Sequence, residues 1–499
     1  MFKRILIANR GEIAIRVMCS AKELGVETVA VFHSVDKDAL HVRYADYAIE
    51  LSGETPKSAY LDINQIIAVA QKLDCEAIHP GYGFLSENAN FSQSCQDAGI
   101  KFIGPNAKSI ELMGSKTGAR ELMKAAGVPI VPGYNSKAKS DQEAYQIAEK
   151  IGYPILLKAA SGGGGKGMRL VESSEDLIES LNSASAEAAR SFGDDTVYME
   201  KYIVNPKHIE IQILADEYGN IIHLGERDCS IQRRHQKVVE EAPSSVLTNE
   251  LREQMGLVAV NAAKACDYVN AGTIEFLLDI HNNFYFLEMN TRLQVEHPVT
   301  EIVTGLDLAK EQIKIAAGYK LSLTQDDVKI SGHAVECRIY AEDPLNNFLP
   351  DIGVIEYYRN PSGRGVRVDG GVETGSEVGL HFDPMLAKLI TWGRDRNDAL
   401  DKMSTALDNY RIYGFANIIP FLKAVVNDPI FRNEYFDTGY IPNHFEFEKL
   451  NEDKNSDVDE LAALALYNFI TTRKEKMTGS TEPKANRWML NNIEKRRLV

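Results

Sequence analysis

The first hundred residues alternate strand and helix signals, and this alternation restricts the fold more than any other feature of the chain. Arg4-Ile-Leu-Ile-Ala8 reads as a short buried strand. Gly11 to Leu24 reads as a helix with apolar Ile13, Val17, Ala21 and Leu24, ended by Gly25. Val26 to Phe32 is a second strand, a helix lies near 63–72, and strands follow at Ala77-Ile78 and Lys101-Phe-Ile-Gly104. Such βαβ succession implies a mostly parallel, doubly wound sheet. Ligands on such sheets bind outside the carboxyl ends of the strands.

Downstream the pattern changes. Residues 115–130 are helical, and Tyr153-Pro-Ile-Leu-Leu-Lys158 and Met168-Arg-Leu-Val171 read as strands on either side of a glycine run. Strand patterns dominate from about 197 to 300, with one long helix around Asn249–Cys266. A new segment starts near 331, runs in strands to Trp392, continues as a helix over Asp398–Tyr410 and ends near 446. Beyond it lies a polar linker, Asn451–Asp457. Ser456-x-x-Asp459 there resembles a capping box ahead of an apolar helix, Leu461 to Ile470. The chain closes on a basic Lys495-Arg-Arg497.

The glycine run Ala160-Ser-Gly-Gly-Gly-Gly-Lys-Gly-Met168 formally contains G-x-G-x-x-G. A dinucleotide fingerprint must open a helix, and here a strand follows. The P-loop pattern also fails, because Gly167 stands after Lys166 where Ser or Thr is required. Adjacent glycines bring bare backbone N–H groups close to an anion. Strand, Gly-rich loop, strand is the geometry of a hairpin lid over phosphates. A flexible linker is the competing reading, disfavoured by the close flanking strands. Lys158 on the entering strand would face phosphate; taken alone it reads as a solvated surface lysine.

Gly272-Thr-Ile-Glu-Phe-Leu-Leu-Asp to Phe284-Tyr-Phe-Leu-Glu-Met-Asn290 reads as a β-hairpin turning near His281–Asn283. Symmetric pairing about His281/Asn282 sets Glu275 opposite Glu288, with Asn290 on the face of Glu288. Opposed like charges destabilise a sheet unless a cation lies between them. Two carboxylates and an amide oxygen are hard ligands suited to Mg²⁺ shared with substrate phosphates. The alternative is two exposed glutamates on a surface hairpin. Thr291-Arg-Leu-Gln-Val-Glu-His-Pro298 follows directly, where Arg292 offers a planar fork for a carboxylate or bicarbonate and Glu296 a base. On its own, Glu296-His-Pro298 reads as an ordinary helix start. The strip Glu226–Lys237 is the densest in basic residues before the tail, and fits a pocket countering a triphosphate better than a nucleic-acid surface.

The 499 residues suggest about three domains. With 55 Lys and Arg against 71 Asp and Glu, the charge of −16 favours solubility and disfavours general nucleic-acid binding. The six cysteines form no C-x-x-C pair or zinc set, consistent with reduced thiols in a cytoplasmic protein. The apolar start is too short for a signal peptide, and no stretch reaches the roughly 18 apolar residues of a membrane span.

Taken together, these stretches resemble the biotin carboxylase component of biotin-dependent carboxylases, in the ATP-grasp superfamily. The carriers of the resemblance are Ile7-Ala-Asn-Arg-Gly-Glu-Ile-Ala14, His79-Pro-Gly-Tyr-Gly-Phe-Leu-Ser-Glu-Asn88, Ser161–Met168, Glu226–Lys237, Glu288–Pro298 and Ala334-Val-Glu-Cys-Arg-Ile339 with Ala341-Glu-Asp-Pro344. They span residues 1 to about 446 in order. The resemblance implies an α/β chain with an ATP-grasp fold. Its parts would be a doubly wound (Rossmann-like) domain over 1–114, an ATP-grasp domain over 115–330 with a lid at about 131–203, a mixed α+β domain over 331–446, and an extension over 447–499.

The implied chemistry is ATP-dependent activation of bicarbonate as carboxyphosphate, followed by carboxylation of biotin. The implied roles fall on matching positions. Lys116, Lys158, Gly163, Gly164 and Gly165 would contact ATP phosphates; Glu200, Lys201, Ile203 and Leu277 would surround adenine; His208, Gln232 and His235 would lie near ribose and phosphates. Glu275, Glu288 and Asn290 would hold Mg²⁺ or Mn²⁺, two ions in the family. Lys237, Arg292, Gln294, Val295 and Glu296 would hold bicarbonate, with Glu296 as base; Arg338 would stabilise the biotin enolate and Tyr82 line its pocket. No biotin-attachment string or carboxyltransferase segment is found. The expectation is a free-standing component, dimeric or larger, serving a separate biotin carboxyl carrier protein and carboxyltransferase. No nucleic acid or membrane partner is implied. The extension is expected to contact a partner subunit. Rival readings are another ATP-grasp ligase, against which the Arg338 segment weighs, and an inactive nucleotide-binding regulator.

Overall fold

Five parallel strands occupy the N-terminal region: β1 (Arg4–Ile7), β2 (Glu27–Phe32), β3 (Tyr47–Glu50), β4 (Ala77–His79) and β5 (Lys101–Phe102). Their order is β3-β2-β1-β4-β5, so β1 is central. Ile5 and Ile7 pack with Ile13 and Val17 of the helix Gly11–Glu23, while Leu6 faces Ile66 and Phe91 on the other side. A parallel strand covered on both faces must be apolar throughout, which is why the sequence shows a run rather than an alternation. The helix stops where Gly25 turns left-handed at φ +73°. Asp62 opens the helix Ile63–Lys72 by accepting from the Gln65 N–H at 3.0 Å.

The computed structural model describes residues 1–134, 138, 140–159, 168–448, 450 and 464–467, with all their side chains except those of 116, 117, 191 and 192. Lid glycines Gly163, Gly164 and Gly165 lie outside the described residues, as does the Lys116 side chain; the backbone of Lys116 begins the helix Lys116–Ala125. Most of the expected C-terminal helix also lies outside; its 464–467 portion is helical. Met1–Phe445 form one unit and Glu446–Val499 a second.

Within the first unit, a four-stranded sheet comprises β6 (Gly133–Tyr134), β7 (Ile155–Ala159), β8 (Met168–Val171) and β9 (Val197–Lys201) in the order β6-β9-β7-β8. β7 and β8 are antiparallel, with Lys158 opposite Met168, so they bracket the glycine run as strands.

The largest sheet has eight strands. They are β14 (Phe284–Asn290), β13 (Asn270–Leu278), β10 (Lys207–Ala215), β11 (Ile221–Arg233), β12 (Gln236–Ala242), β15 (His333–Tyr340), then Met385–Gly393 and Val366–Gly370. Every pairing in it is antiparallel. The sheet runs through the β12–β15 junction, so strands from both sides of residue 330 share it. On β10, Ile209, Ile211 and Ile213 pack under Met255, Ala259 and Ala263 of the helix Asn249–Ala265. Strand alternation then turns His208, Glu210 and Gln212 to the opposite face.

Candidate functional site

Register across four strands assembles the charged face. Arg227 on β11 pairs with Glu210 on β10, Glu210 with Glu275 on β13, and Glu275 with Glu288 on β14. The expected opposition of Glu275 and Glu288 is therefore present. A bulge between Glu275 and Phe276 shifts the outer pairs to Phe276–Phe286 and Leu277–Tyr285, so the hairpin is not symmetric throughout. The turn is held by Asp279, whose carboxylate accepts from the N–H groups of His281 and Asn283 at 2.8 Å each.

Lys237 stands at the centre. Its Nζ donates to Glu210 Oε2 at 2.6 Å, Glu275 Oε1 at 2.8 Å and Glu296 Oε1 at 2.6 Å. Burial disfavours its charge, but the three carboxylates outweigh that and hold the ammonium well above its usual range. Arg227 is fully buried and forked: it pairs with Glu210 and donates to Gln212 Oε1 at 2.7 Å, Thr300 Oγ1 at 2.9 Å and Thr273 Oγ1 at 3.2 Å. The basic strip is thus a β11–β12 hairpin with Arg227 in the interior, not a continuous cationic patch.

Glu296 caps the helix His297–Thr304 in position, without a side-chain capping bond. It is both a helix start and a buried carboxylate. Burial pushes its carboxyl up, yet Lys237, Arg338 and Arg227 hold it well below the usual range. Arg338 Nη2 donates to Glu296 Oε2 at 2.9 Å and Nε to Glu240 Oε1 at 2.6 Å. Beside it, burial and then Glu296 push Glu240 up to about 7 against the pull of Arg338. Glu336, paired in register with Glu240, is raised well above the usual range by burial, against the pull of Lys388.

Arg292 is locked flat. Its Nε donates to Glu87 Oε2 at 2.9 Å, Nη1 to Gln294 Oε1 at 2.8 Å and Nη2 to Asn290 Oδ1 at 3.1 Å. Gln294 Nε2 in turn donates to Glu275 Oε1 at 3.1 Å, and Asn290 Nδ2 to the same oxygen at 2.8 Å. Val295 offers its carbonyl to Lys388 Nζ at 2.9 Å. The Tyr82 hydroxyl donates to Glu12.

Glu200 on β9 is buried and paired with both Lys158 and Arg120. Lys201 Nζ donates to the carbonyls of Gly152 at 2.9 Å and Tyr153 at 2.7 Å. Ile203 follows β9, half-buried, and Leu277 pairs with His208 across β13–β10. His208 belongs to the carboxylate cluster: its Nε2 lies 2.8 Å from Glu275 Oε2, and its Nδ1 is 2.7 Å from Gln232 Nε2. His235 is exposed at the β11–β12 turn with φ +66°.

Glu275, Glu288 and Asn290 have the oxygen chemistry of a hard divalent site, but Asn290 Oδ1 accepts from Arg292 and Glu275 Oε1 from Lys237, Asn290 and Gln294, so an ion would have to displace these donors. Glu288 is exposed where Glu275 is buried, and desolvation and then the facing Glu275 carboxylate raise its carboxyl. That repulsion is what a cation between them relieves. Two tighter groups, His208–Glu210–Glu275 and Glu210–Cys229–Glu296, each bring their ligand atoms within 4.8 Å. Lys237 Nζ already bonds carboxylates in both.

Glu210, Arg227, Glu240, Glu87, Glu12 and Lys388 carry the site without having been singled out in the sequence. Glu210 lies in an alternating strand, and Glu12 and Glu87 lie inside the resembling stretches. Strand alternation sets the face of Glu210 without marking it out, and nothing local marks Lys388.

Family models match in order along the chain. Residues 1–110 match the biotin carboxylase N-terminal domain, 115–324 the ATP-binding domain of carbamoyl-phosphate synthase L chain, and 336–443 the biotin carboxylase C-terminal domain. The chain belongs to the biotin carboxylase family. Biotin carboxylase 1 of Bacillus subtilis is 51% identical over 442 residues, 88% of this chain and 98% of its own. Biotin carboxylase of a Nostoc species is likewise 51% identical, over 440 residues, 88% of this chain and 98% of its own. The biotin carboxylase domain dimer of Hydrogenobacter thermophilus 2-oxoglutarate carboxylase, solved with MgADP, ADP and bicarbonate, is 50% identical, with a TM-score of 0.83 over 89% of this chain and 98% of its own. As a biotin carboxylase, the protein is an ATP-dependent ligase with an ATP-grasp fold; the family uses ATP, Mg²⁺ and biotin on a carrier. Among the described residues, no helix of this carboxylase is long and apolar enough to cross a membrane.

Proposed function

We propose that this chain runs the first half-reaction of a multi-subunit carboxylase, transferring bicarbonate carbon to biotin on a separate carrier protein, with Glu296 as base. The observation that carries this reading is the placement of Glu296. It is a fully buried carboxylate with Lys237 on one oxygen and Arg338 on the other.

In the free site, those cations make Glu296 a weak base. Bicarbonate is itself an anion, so on entry it competes for Lys237 and for the planar Arg292 fork. Glu296 then shares its cations and becomes more basic where bicarbonate must lose its proton. Lys158 and the helix start at Lys116 are the reading's phosphate contacts, with the glycine run Gly163–Gly165 as lid. Glu275, Glu288 and Asn290 would hold the metal, which when bound neutralises charge on the transferring phosphate. Phosphate released from carboxyphosphate takes the ureido proton of biotin, and Arg338 stabilises the resulting anion beside Tyr82. Glu200, Lys201, Ile203 and Leu277 are assigned to adenine, and His208, Gln232 and His235 to the ribose side.

The carrier and the carboxyltransferase are separate partners in this reading, and the latter selects the final acceptor. The 447–499 extension is assigned to a partner contact. A chain ending near 450 should keep ATPase activity and lose co-purification; full retention of both removes the assignment.

The test of the whole reading is ADP release with ATP, Mg²⁺ and bicarbonate, with and without free biotin, alongside trapping of carboxybiotin from labelled bicarbonate. The expected result is bicarbonate-dependent ADP release that biotin accelerates, abolished in Glu296→Gln with ATP binding retained. ADP release indifferent to bicarbonate and biotin overturns it.

A further inference from the structure

Lys388 has no role in the proposed half-reaction, yet it is 0% exposed and lies in register with Arg338 on the neighbouring strand. Its Nζ donates to the Val295 carbonyl at 2.9 Å and lies 3.2 Å from Glu12 Oε2. Asp369 is more distant, at 4.0 Å, and is already held by both arms of Arg367 at 2.7 Å each. Glu12 is in the first turn of the helix Gly11–Glu23, and its other oxygen accepts from the Tyr82 hydroxyl.

The result is a polar path from Tyr82 through Glu12 and Lys388 to Val295, with Asp369 as a more distant side branch. It joins four distant stretches of chain. Gly371 makes the approach feasible: a Cβ there would stand 2.7 Å from the Glu12 backbone nitrogen. A buried ammonium is a poor device for stability alone, because well-packed apolar residues of similar volume often do as well or better. The path ends on the peptide that links Val295 to Glu296, and begins on the phenol assigned to biotin.

We infer that Lys388 is a positioning residue for both substrates, fixing the Val295–Glu296 peptide at the bicarbonate site and, through Glu12, the Tyr82 phenol at the biotin pocket. This rests on the roles proposed for Val295, Glu296 and Tyr82. ATP contacts lie elsewhere, so the effect is confined to bicarbonate and biotin.

The experiment uses the full chain with Lys388→Met, Lys388→Arg and the double variant Lys388→Met with Glu12→Gln. KM for ATP, bicarbonate and free biotin is measured for each, together with the thermal midpoint. Losing a hydrogen bond to a charged group corresponds to about ten-fold or more. Lys388→Met is expected to raise KM for bicarbonate and for biotin by about that factor, with KM for ATP within about two-fold. Lys388→Arg should recover part of the loss by retaining a cation. The double variant removes the orphaned Glu12 charge and should regain the wild-type midpoint without regaining either KM. If both KM values return with the midpoint, Lys388 only balances Glu12 and the inference fails. It fails equally if Lys388→Met leaves both KM values unmoved or shifts only that for ATP. Tyr82→Phe and Arg292→Met serve as controls: if neither moves its own substrate's KM, the underlying role assignments fall, independently of Lys388.

Discussion

At the centre of the parallel sheet, Ile5, Leu6 and Ile7 are out of solvent with no charge among them. In the eight-stranded antiparallel sheet, Glu210, Arg227, Glu240, Glu336 and Lys388 are equally inaccessible. Both sheets are interior, but they differ in what their interiors do. Apolar burial stabilises at roughly 25 cal/mol per Å². Buried ion pairs recover their desolvation only where geometry is good and every partner is kept. The first sheet is therefore a scaffold tolerant in chemistry and intolerant of lost volume. The second depends on its charges staying paired with one another.

The widest separation between the two should come from Lys237→Met. It removes the cation that, among the described residues, bridges Glu210, Glu275 and Glu296. Turnover in the coupled ADP assay should fall by about 10³-fold or more, roughly 4 kcal/mol. The thermal midpoint should fall as well at neutral pH and recover as the pH is lowered, because the three carboxylates can then protonate. Turnover within ten-fold of wild type would remove Lys237 from the chemistry.

Leu6→Ala should do the opposite, costing about 3 kcal/mol of stability in denaturant titration while leaving KM values within about two-fold. A matching loss of kcat would mean that the scaffold and the site are not separable.

Individual buried groups in the two regions titrate with opposite sign. Burial lowers His79 and His41, in the N-terminal region, to about 4 from 6.5. Between those values the unfolded chain binds more protons, so their contribution to stability is lost as pH falls from 6.5 towards 4. Glu240 is raised from 4.5 to about 7, chiefly by burial. Between those values the fold binds the extra proton, so its contribution to stability is lost as pH rises through that window. Each contribution is on the order of 3 kcal/mol. Midpoints measured from pH 4.5 to 7.5 should flatten on the acid side in His41→Asn and on the neutral side in Glu240→Gln. Parallel curves for all three proteins contradict this.

A smaller effect is expected from Glu288→Gln. Removing one of the proposed metal ligands should raise the Mg²⁺ concentration for half-maximal activity about ten-fold, or about 1.4 kcal/mol. An unchanged Mg²⁺ dependence removes Glu288 from the metal site.

Much of this was legible locally. The alternation in residues 4–102 gave the parallel sheet because consecutive strands and helices are set by short-range pattern. The hairpin gave the Glu275–Glu288 opposition because period-two alternation and turn length fix partners a few residues apart; the bulge beside Glu275, invisible to counting, shifted only the outer pairs. The Arg292–Glu296 stretch stands out in the sequence because its residues are contiguous. Glu210, Arg227 and Glu240 were missed because one glutamate or arginine on a strand has no local partner to announce it.

What the sequence determined by itself is therefore what lies within one strand–turn–strand or strand–helix step: element type, the hairpin face, the glycine run and the family. Only the tertiary structure decided which charges meet. Lys237 reaches Glu210 on β10, Glu275 on β13 and Glu296 before a helix, while Lys388 reaches Glu12 and Val295 from a strand far along the chain. The physical reason is that backbone pattern is encoded by neighbours. Whether a buried charge is satisfied depends on groups 27 to 93 residues away in the chain, brought to within 3 Å only when the sheets close.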